Sequence, residues 1–183
     1  MSEVLIALRL SVAFVFLLAA GAKVIRPVVF ADALKVYVGA SASIRYTSAA
    51  AVIAVEFLLA AGHLLGLDPV VILGSGIVTT TVFFGVVATR LASGKGGPCL
   101  CFGADHNETI GLPTLLRSGA LLVAEIALFV DSRGATSSWA LSPSEPSVTV
   151  LWAMCALVVS AWLLRYRDLF ELFGRLRPAE SKE

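Results

Sequence analysis

The chain has 183 residues, of which 58% are hydrophobic and 15% charged, and its mean hydropathy is +0.90. A soluble domain averages about 45–50% apolar and about 25% charged residues, so lipid is the expected solvent. The net charge of +1 argues against nucleic-acid binding, which needs a basic surface, and three cysteines are too few for a disulfide-held scaffold.

Five runs are long enough to cross a bilayer, which takes about 20 mostly apolar residues. They are Val4 to Ala22, about Thr47 to Leu67, about Val70 to Ala92, about Pro113 to Val130 and about Ser147 to Leu164. Backbone amides in lipid must bond within the protein, and the runs lack the alternation of barrel strands. The sequence therefore predicts an all-α integral membrane bundle of about five transmembrane helices, forming a single membrane domain over residues 1–183.

The first run has a rival interpretation as a secretory signal peptide, because Ala20-Gly21-Ala22 resembles a cleavage site. Its amino-terminal region has little positive charge, since Glu3 offsets Arg9, and the apolar stretch is long enough to span. We therefore expect a membrane span at this position.

The connections between the runs differ in length and character. Residues 23–46 contain apolar side chains at helical spacing, which predicts a short interfacial helix: Phe30, Ala33, Leu34 and Tyr37. Leu67-Asp68-Pro69 is a tight turn, so the second and third spans should be antiparallel neighbours. Residues 165–183 form a basic, amphipathic tail that is expected to lie along a membrane surface.

The basic residues fall mainly on one side of the predicted membrane topology. Residues 23–46, residues 93–112 and the basic tail share a side if there are five spans, and an excess of Lys and Arg marks the cytoplasmic side. Charge therefore predicts a multi-pass protein of the plasma membrane with its N-terminus outside and its C-terminus cytoplasmic. It also places residues 93–112 in the cytoplasm.

Ionisable residues interrupt the apolar runs, where a charge costs about 2.5–3.5 kcal/mol and marks a functional or structural pairing. At about 1.5 Å per residue, Arg9 and Glu125 lie at similar depth, which predicts an ion pair between the first and fourth spans. The alternative for Arg9 and for Arg117, near the start of the fourth span, is that they reach the headgroups. His63, near the end of its run, is expected at the interface.

Glu56 lies near the middle of the second span and cannot reach the headgroups easily. One interpretation is a proton-handling group or counter-ion. The other is a protonated carboxyl group that bonds to a neighbouring helix. Gly74 and Gly76, in the third span, are interpreted as small residues that allow close helix packing.

Cys99 and Cys101 lie two apart in a glycine- and proline-rich segment between the third and fourth spans. Their α-carbons in an extended chain are close to the upper limit for a disulfide, so a bridge there closes a tiny, strained loop. Strained, exposed disulfides are the labile or catalytic ones, which predicts a redox-active dithiol. A metal site of Cys99, Cys101 and His106 lacks a convincing fourth ligand, and an unreactive pair is the third interpretation. Cys155 is interpreted as a small buried hydrophobe.

The order of these features resembles the MauE family of methylamine-utilisation membrane proteins, within a wider DoxX-like group of redox-associated membrane proteins. The resemblance covers about residues 4 to 130 and is carried by Gly21-x-Lys23, Glu56, Cys99-Leu100-Cys101-Phe102-Gly103 and Arg117. It implies a four-helix core, with the fifth run and the basic tail outside it. Leu100 stands where the family usually has glycine and stiffens the segment, and Ser118 stands where asparagine often follows the arginine.

The resemblance implies a part in methylamine metabolism. Family members are thought to help mature or export the disulfide-rich small subunit of methylamine dehydrogenase, alongside a thioredoxin-like partner. More distant relatives are linked to thiol redox balance and quinone-coupled oxidation, so a quinone is a candidate cofactor. Cys99 and Cys101 carry over as candidate redox residues, whereas Lys23, Glu56 and Arg117 match the family pattern without an assigned role.

Two expectations about the cysteines conflict. Maturation of an exported protein calls for cysteines outside the cell, where disulfides persist. The charge pattern places them inside, where they would act as a thiol sensor or relay. Rival functions are a non-catalytic scaffold or assembly subunit of a redox complex, and a small-solute carrier. The carrier is disfavoured because no pair of spans is broken by Gly or Pro at mid-membrane.

Overall fold

The computed structural model describes residues 3–39, 41–94 and 111–134. Within these ranges the chain folds into helices and no strand, which confirms the all-α prediction. The helices are α1 (Glu3–Ile25), α2 (Pro27–Ala33), α3 (Lys35–Val38), α4 (Ala42–Leu65), α5 (Pro69–Ala92) and α6 (Leu112–Gly134). The three cysteines, His106, the predicted fifth span and the basic tail lie outside the described residues.

Four of these helices are long and apolar enough to cross a membrane, which confirms the first four predicted spans. They comprise Val4–Ile25, Ala42–Leu65, Pro69–Ala92 and Leu112–Arg133. Their outer faces expose large apolar side chains, such as Leu58, Val78 and Val123. A soluble protein rarely exposes so much contiguous apolar surface, whereas lipid requires it. The chain is therefore a multi-pass membrane protein.

All four long helices contribute to one apolar core. The side chains at its centre include Phe16 of α1, Leu59 of α4, Leu73 of α5 and Leu128 of α6. The most extensive packing is between α1 and α4 and between α5 and α6, and the contact of α1 with α6 joins these two pairs. Helix α1 is therefore a structural member of the bundle.

The turn between α4 and α5 is built by local chemistry. Gly66 takes the left-handed conformation that ends α4, with φ of 68°. The carboxylate of Asp68 accepts hydrogen bonds from the backbone N–H groups of Val70 and Val71 and caps α5, which Pro69 begins. The two helices are antiparallel, as predicted, although α4 packs far more on α1 than on α5.

The short helix predicted in the first connection is present, in two pieces that meet at Leu34. Phe30 and Ala31 of α2 are buried against Ala49 of α4, so α2 covers one end of the α1–α4 interface. We call this end of the bundle the loop end: α1 and α5 finish here, and α4 and α6 begin. We call the opposite end, where residues 66–68 connect α4 to α5, the turn end.

Candidate functional site: two buried polar clusters

A buried ion pair joins α1 to α4. Lys23 Nζ donates to both carboxylate oxygens of Glu56, at 2.7 and 2.8 Å, and also approaches the carbonyl oxygen of Ala19 at 3.3 Å. The side chains are only 2% and 1% exposed. An ammonium group has three N–H donors, and these three acceptors match them. The charge that Glu56 brings into the bundle is thus balanced by Lys23.

The geometry of the helices explains how Lys23 and Glu56 meet. Lys23 lies at the end of α1, but a helical side chain points toward the helix N-terminus, so its ammonium group reaches back into the bundle. The same rule tilts Glu56 of the antiparallel α4 toward the loop end. The ring of Phe30 on α2 lies 5.4 Å from Lys23 Nζ, in range of a cation–π contact, and covers the pair.

A second polar cluster joins three helices near the turn end. We call it the Arg9 cluster, and it consists of Arg9 on α1, His63 on α4 and Glu125 on α6, all with no exposed surface. Arg9 Nε donates to the backbone carbonyl of His63 at 2.6 Å. His63 Nε2 lies 3.4 Å from Glu125 Oε2. This layer therefore ties α1, α4 and α6 together through His63.

Gly76 of α5 makes room for Glu125. A Cβ atom at Gly76 would lie only 2.6 Å from the carboxyl carbon of Glu125, well inside van der Waals contact. A Cβ at Gly74 would meet nothing within 4 Å. Of the two glycines predicted to allow close packing, Gly76 does so and Gly74 does not.

The contacts of the Arg9 cluster differ from those predicted from the sequence. Glu125 approaches His63 instead of Arg9, and its carboxylate oxygens make no hydrogen bond to any described residue. His63, predicted at the interface because it lies near the end of its run, is buried between α1 and α6, although α4 ends two residues later. Arg9 does not reach the headgroups, because it is buried and bonded to α4. The similar depth predicted for Arg9 and Glu125 is correct, since both meet His63.

Arg117 lies in the second turn of α6 at the loop end, a few residues after the segment that contains Cys99 and Cys101. Other basic side chains share this end of the bundle: Arg26, Lys35, Arg45 and Arg90. The guanidinium group of Arg90 lies 5.3 Å from the ring centre of Tyr37, so α3 is held against the end of α5.

Sequence reasoning missed both side-chain pairings, Lys23 with Glu56 and His63 with Glu125. Glu56 is predicted to be a proton-handling group, a counter-ion or a protonated carboxyl group, without a named partner. The usable signal for the first pair was complementary charge within reach of a long side chain. For the second, the signal was a histidine and a carboxylate in facing apolar runs.

Comparison with known proteins identifies a family for this chain. Residues 1–131 match the family model described as methylamine utilisation protein MauE. The match covers both polar clusters, the two cysteines and all but the last residues of α6. Neither a curated protein nor a solved structure matches the chain significantly.

Proposed function

The chain belongs to the MauE family of methylamine utilisation proteins, and from this premise we propose that it is a membrane thiol–disulfide exchange protein. Its reactive pair is Cys99 and Cys101, and its client is a disulfide-containing protein of methylamine metabolism, such as the small subunit of methylamine dehydrogenase. The observation that carries the proposal is a Cys-x-Cys motif inside the matched range, in the segment between two antiparallel spanning helices.

The proposed exchange between the cysteine pair and a client dithiol takes two steps. A client thiolate attacks one sulfur of the Cys99–Cys101 disulfide and forms a mixed disulfide, which releases the other cysteine as a thiolate. The second client thiolate then attacks the client sulfur of the mixed disulfide. The client leaves with a new disulfide, and Cys99 and Cys101 remain as a dithiol carrying two electrons and two protons. A thioredoxin-like disulfide or a quinone accepts these and restores the pair.

Two features of the described residues support this assignment. The close packing of α6 on Gly76 of α5 fixes the helices that flank the cysteine segment. The loop end is also basic, with Arg90 near the end of α5 and Arg117 near the start of α6. Positive charge favours the thiolate over the thiol, and the thiolate is the reactive form.

Glu56 is the candidate proton-handling group of the proposal. It is buried and bonded to Lys23 through both oxygens. Transfer of the shared proton from Lys23 to Glu56 would leave two neutral groups, which lipid tolerates better than an unpaired charge. The pair could therefore pass a proton without leaving an isolated charge in the bundle.

The orientation that we propose follows the basic residues: the loop end faces the cytoplasm and the N-terminus faces outward across the plasma membrane. The cysteines would then act as a thiol relay in a reducing compartment, before the client is exported. The opposite orientation would place them where disulfides persist, as the final oxidant of the client.

A non-catalytic assembly subunit is the second candidate function. It is favoured by the Lys23–Glu56 pair and the Arg9 cluster, which join helices and are closed to solvent. In that case, substitution of the cysteines would be silent, whereas variants of the buried charges would misassemble. A small-solute carrier is disfavoured, because α1, α4, α5 and α6 each run unbroken along their described lengths.

The experiment that tests the proposal is a redox titration of the purified Cys155→Ser protein in lipid nanodiscs, where the reactive pair holds the remaining thiols. We expect one reversible two-electron couple in dithiothreitol redox buffers, read by mass-tagging the free thiols. Cys99→Ser and Cys101→Ser should each abolish the couple, and one of them should trap a mixed disulfide with a thioredoxin-like protein. A pair that stays reduced throughout would overturn the proposal.

A further inference from the structure

We propose that His63 and Glu125 form a proton-binding site, in which one proton is held between the imidazole ring and the carboxyl group at neutral pH. The site lies inside the bundle, between α4 and α6, and it does not depend on the thiol chemistry proposed above. Its ligand is a proton, so it needs no cavity beyond the contact between the two side chains.

The tautomer of His63 follows from its contact with the backbone of α4. Its Nδ1 lies 2.8 Å from the backbone carbonyl oxygen of Leu59. A carbonyl oxygen only accepts, so Nδ1 must carry a hydrogen and donate it. A neutral His63 therefore has a bare nitrogen at Nε2, and that nitrogen faces Glu125.

The contact between His63 and Glu125 lacks a hydrogen bond. His63 Nε2 and Glu125 Oε2 are 3.4 Å apart, slightly more than a formed N–H···O hydrogen bond. If His63 were neutral and Glu125 ionised, two acceptors would face each other without a proton, out of contact with solvent. One added proton, on Nε2 or on the carboxyl group, turns this contact into a hydrogen bond.

The described surroundings of the pair supply no alternative hydrogen bond. Both side chains have no exposed surface, and within the described ranges Nε2 and the carboxylate oxygens make no other hydrogen bond. A buried acceptor without a donor costs about 1–3 kcal/mol, so a proton at this position relieves the cost on both sides.

The described helices around the pair contribute few groups that could compete for the proton. Arg9 of α1 donates to the backbone carbonyl of His63, and a guanidinium group offers donors but no acceptor for a further proton. Helix α5 faces the pair with Gly76, and the hydroxyl of Thr80 donates to the carbonyl of Gly76. In the described part of the bundle, His63 and Glu125 are thus the titratable groups of this layer.

The test uses nitrogen-15 NMR of histidine-labelled full-length protein in lipid nanodiscs. The chain has two histidines, so His106→Asn leaves the signal of His63 alone. Cys99→Ser and Cys101→Ser in the same protein remove the proposed reactive pair, which separates this result from the fate of the proposed function. Infrared spectroscopy of the same sample detects a protonated carboxyl group, and Glu125→Gln identifies the band by its loss.

Two results at neutral pH support the proposal. One is an imidazolium signal from His63. The other is a neutral ring protonated at Nδ1 together with a carboxyl band that Glu125→Gln removes. A neutral His63 without that band would overturn it, because the pair would then hold no proton beyond the one that every neutral imidazole carries.

Gly76 supplies the matched variants. Gly76→Ala should displace the carboxyl group and abolish the proton signature, whereas Gly74→Ala, two residues away in open space, should keep it. An unchanged signature in a folded Gly76→Ala protein would contradict the proposal. Should Gly76→Ala fail to fold, the isosteric Glu125→Gln protein still decides the question through the carboxyl band and the His63 signal.

Discussion

Lys23 and Glu56 bring opposite charges into a bundle whose remaining interior is mostly apolar. Each charge by itself would strongly destabilise the bundle in lipid. Together they neutralise one another through two short hydrogen bonds. Removal of one member leaves the other buried without a partner. Removal of both leaves no buried charge. Single and double variants should therefore differ sharply in their free energy of unfolding.

At the residue scale we predict that Lys23→Met lowers the free energy of unfolding by about 3–5 kcal/mol, because Glu56 loses its counter-charge. Glu56→Gln should have a similar effect through the stranded ammonium group. The double variant Lys23→Met, Glu56→Gln should recover most of the loss. The measurement is thermal or denaturant unfolding in detergent micelles, followed by circular dichroism.

The control for this prediction is the ion pair between Arg45 and Asp32, in which the carboxylate is 58% exposed. Exposed pairs contribute about 0–1 kcal/mol, so Arg45→Met should change stability little. Equal losses of unfolding free energy in Lys23→Met and Arg45→Met would show that the buried pair contributes no more to stability than the exposed one. A double variant no better than the single ones would also contradict the prediction.

At the element scale, the apolar runs predicted which segments are helices, and local chemistry set their ends. Helix α4 begins at Ala42, one turn before the predicted Thr47, because residues with polar side chains can continue a helix beyond the hydrocarbon. Counting residues along each apolar run correctly predicted that Arg9 and Glu125 lie at a similar depth in the bundle. It could not tell which faces of the helices meet, because that depends on packing between segments distant in sequence, and so His63 was missed as the partner.

Gly62 gives the prediction at this scale, because a Cβ atom there would lie 2.8 Å from Cγ1 of Ile72 on α5. The β-branched side chain of Ile72 has little rotamer freedom, so Gly62→Ala should overpack the contact and cost about 1–3 kcal/mol. Adding Ile72→Ala should relieve the overlap. Unfolding in micelles measures both effects.

Gly85 is the matched control, because a Cβ there meets nothing within 4 Å. Gly85→Ala should leave stability unchanged or raise it by about 0.5–1 kcal/mol through helix propensity. A Gly62→Ala protein as stable as the Gly85→Ala protein would mean that α4 and α5 are farther apart than described.

At the scale of the whole molecule, the two ends of the bundle differ in charge. Arg26, Lys35 and Arg45 lie near the loop end, whereas Asp68 lies in the turn at the opposite end. This asymmetry is visible in the sequence and predicts a cytoplasmic loop end. The predictions for the fifth span and the basic tail concern residues beyond those described, and they stay predictions.

Sidedness can be measured with single cysteines in a protein that carries Cys99→Ser, Cys101→Ser and Cys155→Ser. Leu67→Cys places a thiol in the exposed turn, and Tyr37→Cys places one on α3 at the loop end. A membrane-impermeant maleimide should label Leu67→Cys in intact cells and Tyr37→Cys only after the cells are opened. The reverse pattern would place the loop end outside, with the cysteines where disulfides persist.

The central claim is that Cys99 and Cys101 exchange electrons as a pair, and its most direct test is redox trapping in living cells. Cells producing the Cys155→Ser protein are quenched in acid, and free thiols are mass-tagged before and after exposure to a membrane-permeant oxidant and then a reductant. We predict that two tags are lost and regained together, and that Cys99→Ser leaves Cys101 unable to form the intramolecular disulfide. Two tags retained under every condition would contradict the claim.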